Sequence, residues 1–132
     1  MKFARDIVKL RDELLKLGHD AIIPYGTKPH LTDSTFADRL EDNMKFCIEE
    51  DVMMKNFKMI QDQDAILVYN KKKGDVDGYI GTSTLMEIGI AYFLGKKIFV
   101  MFNIPHFNEH RWAHEVTIMQ PTFLKGNLGK IK

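Results

Sequence analysis

Two apolar runs constrain this chain more than any other feature. They are AILVYN at 65–70 and KKIFVMF at 96–102. Neither alternates apolar with polar, so neither reads as a strand with one wet face. Continuous apolar strands are buried on both faces, as in parallel sheets. Between them lies STLMEIGIAYFLG at 83–95, which reads as a helix ending at Gly95. A strand, a helix and a second strand make a βαβ unit, and such units imply a parallel sheet covered by helices. In sheets of this kind, ligands bind beyond the carboxyl ends of the strands. The loop from Asn70 to Ser83 follows the first strand and occupies that place.

The flanking segments extend the pattern. Apolar residues at Phe3, Ile7, Leu10, Leu14 and Leu17 have helical spacing, and Gly18 stands where a helix C-cap glycine belongs. DAIIP (20–24) reads as a short buried strand stopped by Pro24, and YGTKPHLTDST (25–35) as a loop. From Phe36 to Gln61 the pattern is helical, with a possible break near Glu49, Glu50 and Asp51. The tail has helical potential around HRWAHEVTIM, followed by a weak strand in PTFLKG. With 132 residues and no repeat, low-complexity run or linker, the chain reads as a single domain over 1–132. A doubly wound fold normally opens with a strand, whereas this chain opens with a helix. Either the sheet is reduced or the natural chain begins upstream of Met1, and the second is the expectation.

Composition excludes several classes. A formal net charge of +1 argues against a nucleic-acid binder held by bulk electrostatics, although a small basic patch is compatible with it. No apolar run approaches the length of a membrane span, and the charged N-terminus is no signal peptide. The single Cys47 excludes an internal disulfide and a cysteine metal cage. It fits a reducing cytoplasm, the expected location.

Glu87 is the carboxylate in the GYIGTSTLMEIGIAYFLG stretch. As a functional group it would sit near a helix N-terminus whose dipole favours its ionised form, ready to attack an electrophilic sugar carbon. As a structural group it would complete a capping box with Thr84 as N-cap and Glu87 at N3. Both readings stand on the residues alone. Asn70 and Tyr79 are further candidates, since Asn fixes polar ligand groups and Tyr stacks on a base. Lys71, Lys72 and Lys73 are either a solvated run or a phosphate attractor. His106, His110 and His114 are spaced four apart, but the HExxH pattern is missing and no metal is expected. Trp112 in that segment reads as an interface anchor.

The Asp64-led strand, the Gly78–Ser83 loop, the Glu87–Gly89 helix start and the Lys96–Lys97 step together resemble the nucleoside 2-deoxyribosyltransferase superfamily. The specific part of the resemblance covers residues 64–101, and KLGHDAIIP is similar to the segment after that family's first helix. The resemblance implies a flavodoxin-like or Rossmann-like fold with its first strand missing here. It implies chemistry at an N-glycosidic bond of a nucleoside or nucleotide, with Glu87 as nucleophile at C1′ and no metal or organic cofactor. Asn56, Asn70, Tyr79, Gly81, Thr82 and Ser83 are then the expected substrate-binding residues. Asn56 and Gly81 stand where the family usually or sometimes has aspartates. Family sites are shared between subunits, so a homodimer or larger homo-oligomer is expected. The alternative is a non-catalytic nucleotide-binding or regulatory module on the same fold.

Overall fold

The computed structural model describes residues 3–132. The chain divides into two compact units, Met1–Lys58 and Met59–Lys132. The described residues hold six α-helices and a three-stranded parallel sheet, a mixed α/β architecture. No helix among them is long and apolar enough to cross a membrane.

The first unit is helical. α1 (Ala4–Lys16) turns Ala4 and Leu10 inward. It ends at Leu17 and Gly18, where His19 N–H donates to Leu14 C=O at 3.0 Å and closes the last turn. DAIIP forms no strand, contrary to its apolar pattern. A run of this kind becomes a strand only when another backbone pairs with it, and among the described residues none does. Ile22 within it is 54 % exposed. The expected loop after Pro24 contains a short helix, α2 (Thr27–Thr32), anchored by the Thr27 hydroxyl donating to Pro24 C=O at 2.7 Å. A 3-10 turn at Phe36–Asp38 leads into α3 (Leu40–Glu49). α3 is separated from α4 (Val52–Gln61) at Asp51, whose φ of 51° is left-handed. The break therefore falls where the run of acidic residues suggested. Asp33 accepts from Arg39 at 2.7 Å and from Thr35 N–H and Oγ1, which holds its carboxyl down at a pKa of about 2.

The second unit carries the sheet. β1 (Ala65–Val68), β2 (Lys97–Val100) and β3 (Thr122–Phe123) lie side by side in that order, all parallel. Val68 pairs with Val100, and Val100 with Phe123. α5 (Thr82–Phe93) links β1 to β2 and packs on both, while α6 (Arg111–Ile118) precedes β3 and packs on α5. Ile80, Ile88, Ala91, Ile98, Val100 and Val116 form the buried centre. Each valine or isoleucine side chain withdrawn from water there stabilises the fold by about 1.5–3 kcal/mol. The continuous apolar character of β2 is thus explained, since Ile98, Phe99 and Val100 are all buried.

Candidate functional site

The carboxyl end of the sheet is fixed by one asparagine. Asn70 follows β1 and is fully buried. Its amide nitrogen donates to Phe102 C=O at 2.8 Å and to Gly78 C=O at 3.3 Å, and its oxygen accepts from Phe102 N–H at 2.8 Å. The side chain thereby ties the segment after β1, the segment after β2 and the intervening loop together. A strand-end polar residue can face the solvent or the interior, and this one faces the interior with its polar atoms engaged by backbone. Gly78 completes the clamp. Its φ is +73°, and a β-carbon there would be driven into the Asn103 carbonyl oxygen.

Within the loop, Lys73 and Val76 exchange two backbone hydrogen bonds of 3.0 and 3.1 Å in a tight turn. Asp75 lies inside that turn, and the Asp77 carboxylate is 4.0 Å from Lys72 Nζ. Lys73 Nζ lies 4.9 Å from the centre of the Tyr79 ring. Tyr79 meets Trp112 edge to face at 6.1 Å, and Trp112 in turn lies against His110 at 5.7 Å. The Tyr79 ring also reaches Gly81, where an added β-carbon would sit 3.9 Å from its Cε1. The turn after β1, the entry to α5 and the entry to α6 thus bring a cation and three rings together. Sequence reading raised Lys73, Tyr79 and Trp112 separately and did not join them, because nothing local in the sequence connects residues that far apart.

α5 begins earlier than its hydroxyls suggested. Gly81 is the N-cap, in extended conformation, and Leu85 N–H donates to Gly81 C=O at 3.0 Å. Thr82 and Ser83 are the first two helical residues, both exposed, and no side chain caps the helix. Thr84 is therefore inside the helix and Glu87 is its sixth residue. The capping box is absent, since a glutamate at that depth cannot reach back to the N-cap N–H. The helix-dipole reading changes with it, because that field fades beyond the first turn.

Glu87 lies half-buried on the stripe that also contains Thr84 and the buried Ala91. Among the described residues its carboxyl has no hydrogen-bond or ion partner. Among the described residues no fully sealed side-chain nitrogen or oxygen is unpartnered, so the carboxyl oxygens of Glu87 still touch solvent. Burial alone raises its pKa from 4.5 to about 7. Removal from water disfavours the charged form, and nothing nearby offsets it.

Asn56 lies in the first unit, where it brackets the backbone of Tyr25. Its oxygen accepts from Tyr25 N–H at 2.7 Å and its nitrogen donates to Tyr25 C=O at 3.4 Å. The three histidines do not share a helix face. α6 starts at Arg111 with His110 as its N-cap, so only His114 is helical, and it pairs with Glu115 at 3.1 Å. His110 is extended, as an N-cap residue is, so the helix begins at the residue after it. Among the described residues no group of three His, Cys, Asp or Glu could hold a metal ion. Cys47 is half-buried, 3.6 Å from Asn43 Oδ1.

Comparison with protein-family models, with curated proteins and with solved structures returns no match.

Proposed function

We propose that this chain acts at the N-glycosidic bond of a nucleoside or nucleotide, with Glu87 as nucleophile, as a deoxyribosyltransferase or N-glycosidase on a flavodoxin-like fold. The observation that carries the reading is the state of Glu87. It is half-buried, unpartnered among the described residues and too deep in α5 to serve as a cap. A carboxylate kept from water and from partners is poorly solvated and hence reactive when ionised. In the proposed step its oxygen bonds to the sugar C1′, the C1′–N bond breaks, and the electron pair leaves with the base, which takes up a proton. Water or a second base then displaces the glutamate ester. The exposed Thr82 and Ser83 and the ring of Tyr79 lie at the helix entry, suited to sugar hydroxyls and a flat base. The resemblance of residues 64–101 to nucleoside 2-deoxyribosyltransferases supports the same chemistry, and with it a homo-oligomer.

A second reading is a non-catalytic nucleotide-binding module. It is favoured by Asn56 and Asn70, both engaged with backbone, and by Gly81, which has no side chain. One experiment separates the two. Deoxynucleosides and their 5′-monophosphates are incubated with the protein, with and without an acceptor base, and free base is followed by chromatography. Release that is lost in Glu87→Gln supports the enzyme, with kcat/KM rising as pH passes through about 7 because the nucleophile must be ionised. Release that survives the substitution sinks the assignment. No release, together with quenching of Trp112, the chain's single tryptophan, supports the binding module.

A further inference from the structure

The opposite end of the same sheet carries a feature that the Glu87 reading does not use. An open groove of about 590 Å³ runs along the amino-terminal ends of β2 and β3. Its lining includes Lys96, Lys97, Lys130 and Lys132 and contains no aspartate or glutamate. The volume falls in the range of small-molecule sites.

The lysines are set on fixed backbone. Gly95 ends α5 in left-handed conformation, and Lys96 N–H donates to Ala91 C=O at 2.9 Å, which locks the turn that presents Lys96. Lys97 opens β2 and its Nζ donates to Lys132 C=O at 2.8 Å. Lys130 closes a 3-10 turn whose cap, Asn127, accepts from Gly129 N–H at 2.9 Å. Gln120 also lines the groove, with a left-handed φ of 53° at a position after α6 that helices usually give to glycine. Tyr92, 55 % exposed, supplies a flat apolar surface on the α5 wall.

We infer that this groove binds a nucleoside triphosphate, with the phosphates on the lysines and the base against Tyr92. A triphosphate carries about as many negative charges as the groove has lysines, so binding would neutralise an otherwise self-repelling cluster. Two cations at the end of α5 would suffice to balance its dipole. Lys130, from a separate turn, and Lys132, which follows it, exceed that need. The site is distinct from Glu87 and does not depend on the proposed glycosidic chemistry.

The test is an amide shift map of the full-length protein titrated with ATP, ADP, AMP and tripolyphosphate at physiological salt. Saturable shifts are expected at Lys96, Lys97, Gln120 and Lys130, with ATP tightest and AMP weaker by tenfold or more. Lys96→Ala with Lys130→Ala is expected to weaken ATP at least tenfold. Lys71→Ala with Lys72→Ala removes the same charge elsewhere and is expected to change it less than twofold. Tyr92→Ala is expected to weaken ATP but not tripolyphosphate. Absence of saturation, shifts centred on residues 71–83, AMP binding as tightly as ATP, equal loss in both lysine pairs, or tripolyphosphate equal to ATP would each overturn the proposal. The wild-type map decides even if a variant folds poorly.

Discussion

Replacing Glu87 with glutamine is expected to stabilise the protein above neutral pH and to leave it almost unchanged below pH 4. The carboxyl's pKa is about 7 in the folded chain against an ordinary 4.5. Below the lower value both folded and unfolded chains hold the proton, so Glu87 contributes no pH dependence. Between the two values the unfolded chain releases its proton while the folded chain keeps it. Stability therefore falls as pH rises through this window, and the full cost is present above about 7. The gap is worth at most about 3–4 kcal/mol. Solvent contact of the carboxyl oxygens lowers the effective cost, to about 1–3 kcal/mol.

Glutamine keeps the shape and carries no charge, and a neutral amide is much less costly to withdraw from water. Urea unfolding of both proteins at pH 4, 6 and 8 measures the effect. The difference between the two curves isolates position 87, because other titrations are shared. At this chain length each kcal/mol moves Tm by about 3–5 °C, so a thermal melt at pH 8 resolves the same effect. Parallel curves from pH 4 to pH 8 would show that burial does not perturb the group. A wild type more stable than the variant at pH 8 would show an ionised Glu87 with a favourable partner. Either result would remove the physical basis for treating it as a reactive carboxylate.

Asn70→Ala breaks all three clamp hydrogen bonds and strands the Phe102 N–H, and is expected to cost about 2–4 kcal/mol in urea unfolding. Asn70→Asp is no rescue, since a carboxylate would face two carbonyl oxygens. Gly78→Ala forces a β-carbon toward Asn103 at a left-handed φ, and is expected to cost about 2–4 kcal/mol by the same assay. Tyr79→Ala removes the ring that meets Trp112, and the red shift of tryptophan emission should report greater solvent access. Asn56→Ala removes both bonds to Tyr25 and is expected to cost about 1–2 kcal/mol, read by unfolding.

The parts of the fold legible in the sequence are those whose cause is local. β1, α5 and β2 follow from apolar runs too continuous for any half-wet strand, and the left-handed glycine at 95 closes α5 where expected. DAIIP was misleading because strand formation is a property of two segments, and only one of them is visible in a short stretch. The N-cap expected at Thr84 lies three residues too late, because Thr82, Ser83 and Thr84 offer three plausible caps. The structure instead caps with Gly81, a residue type that N-caps accept about as readily as threonine. That shift is decisive for function, since it moves Glu87 from the third helical position to the sixth.

The contrast between the buried amides and Glu87 carries the argument one step further. Asn70 and Asn56 are polar and buried, and each is satisfied by backbone partners that it in turn holds in place. Glu87 is polar and half-buried on a helix fixed by the Asn70–Gly78 clamp, yet among the described residues nothing satisfies it. A chain that pairs its buried amides this fully and leaves a carboxyl unpaired accepts a cost at one position. Stability does not account for that cost, because glutamine would relieve it. An incoming group that takes the place of the missing partner would account for it, and an electrophilic sugar carbon is one such group. The Glu87→Gln variant thus tests both sides of the same position: stability gained at pH 8 and base release lost are the paired outcomes expected of a carboxyl kept for chemistry.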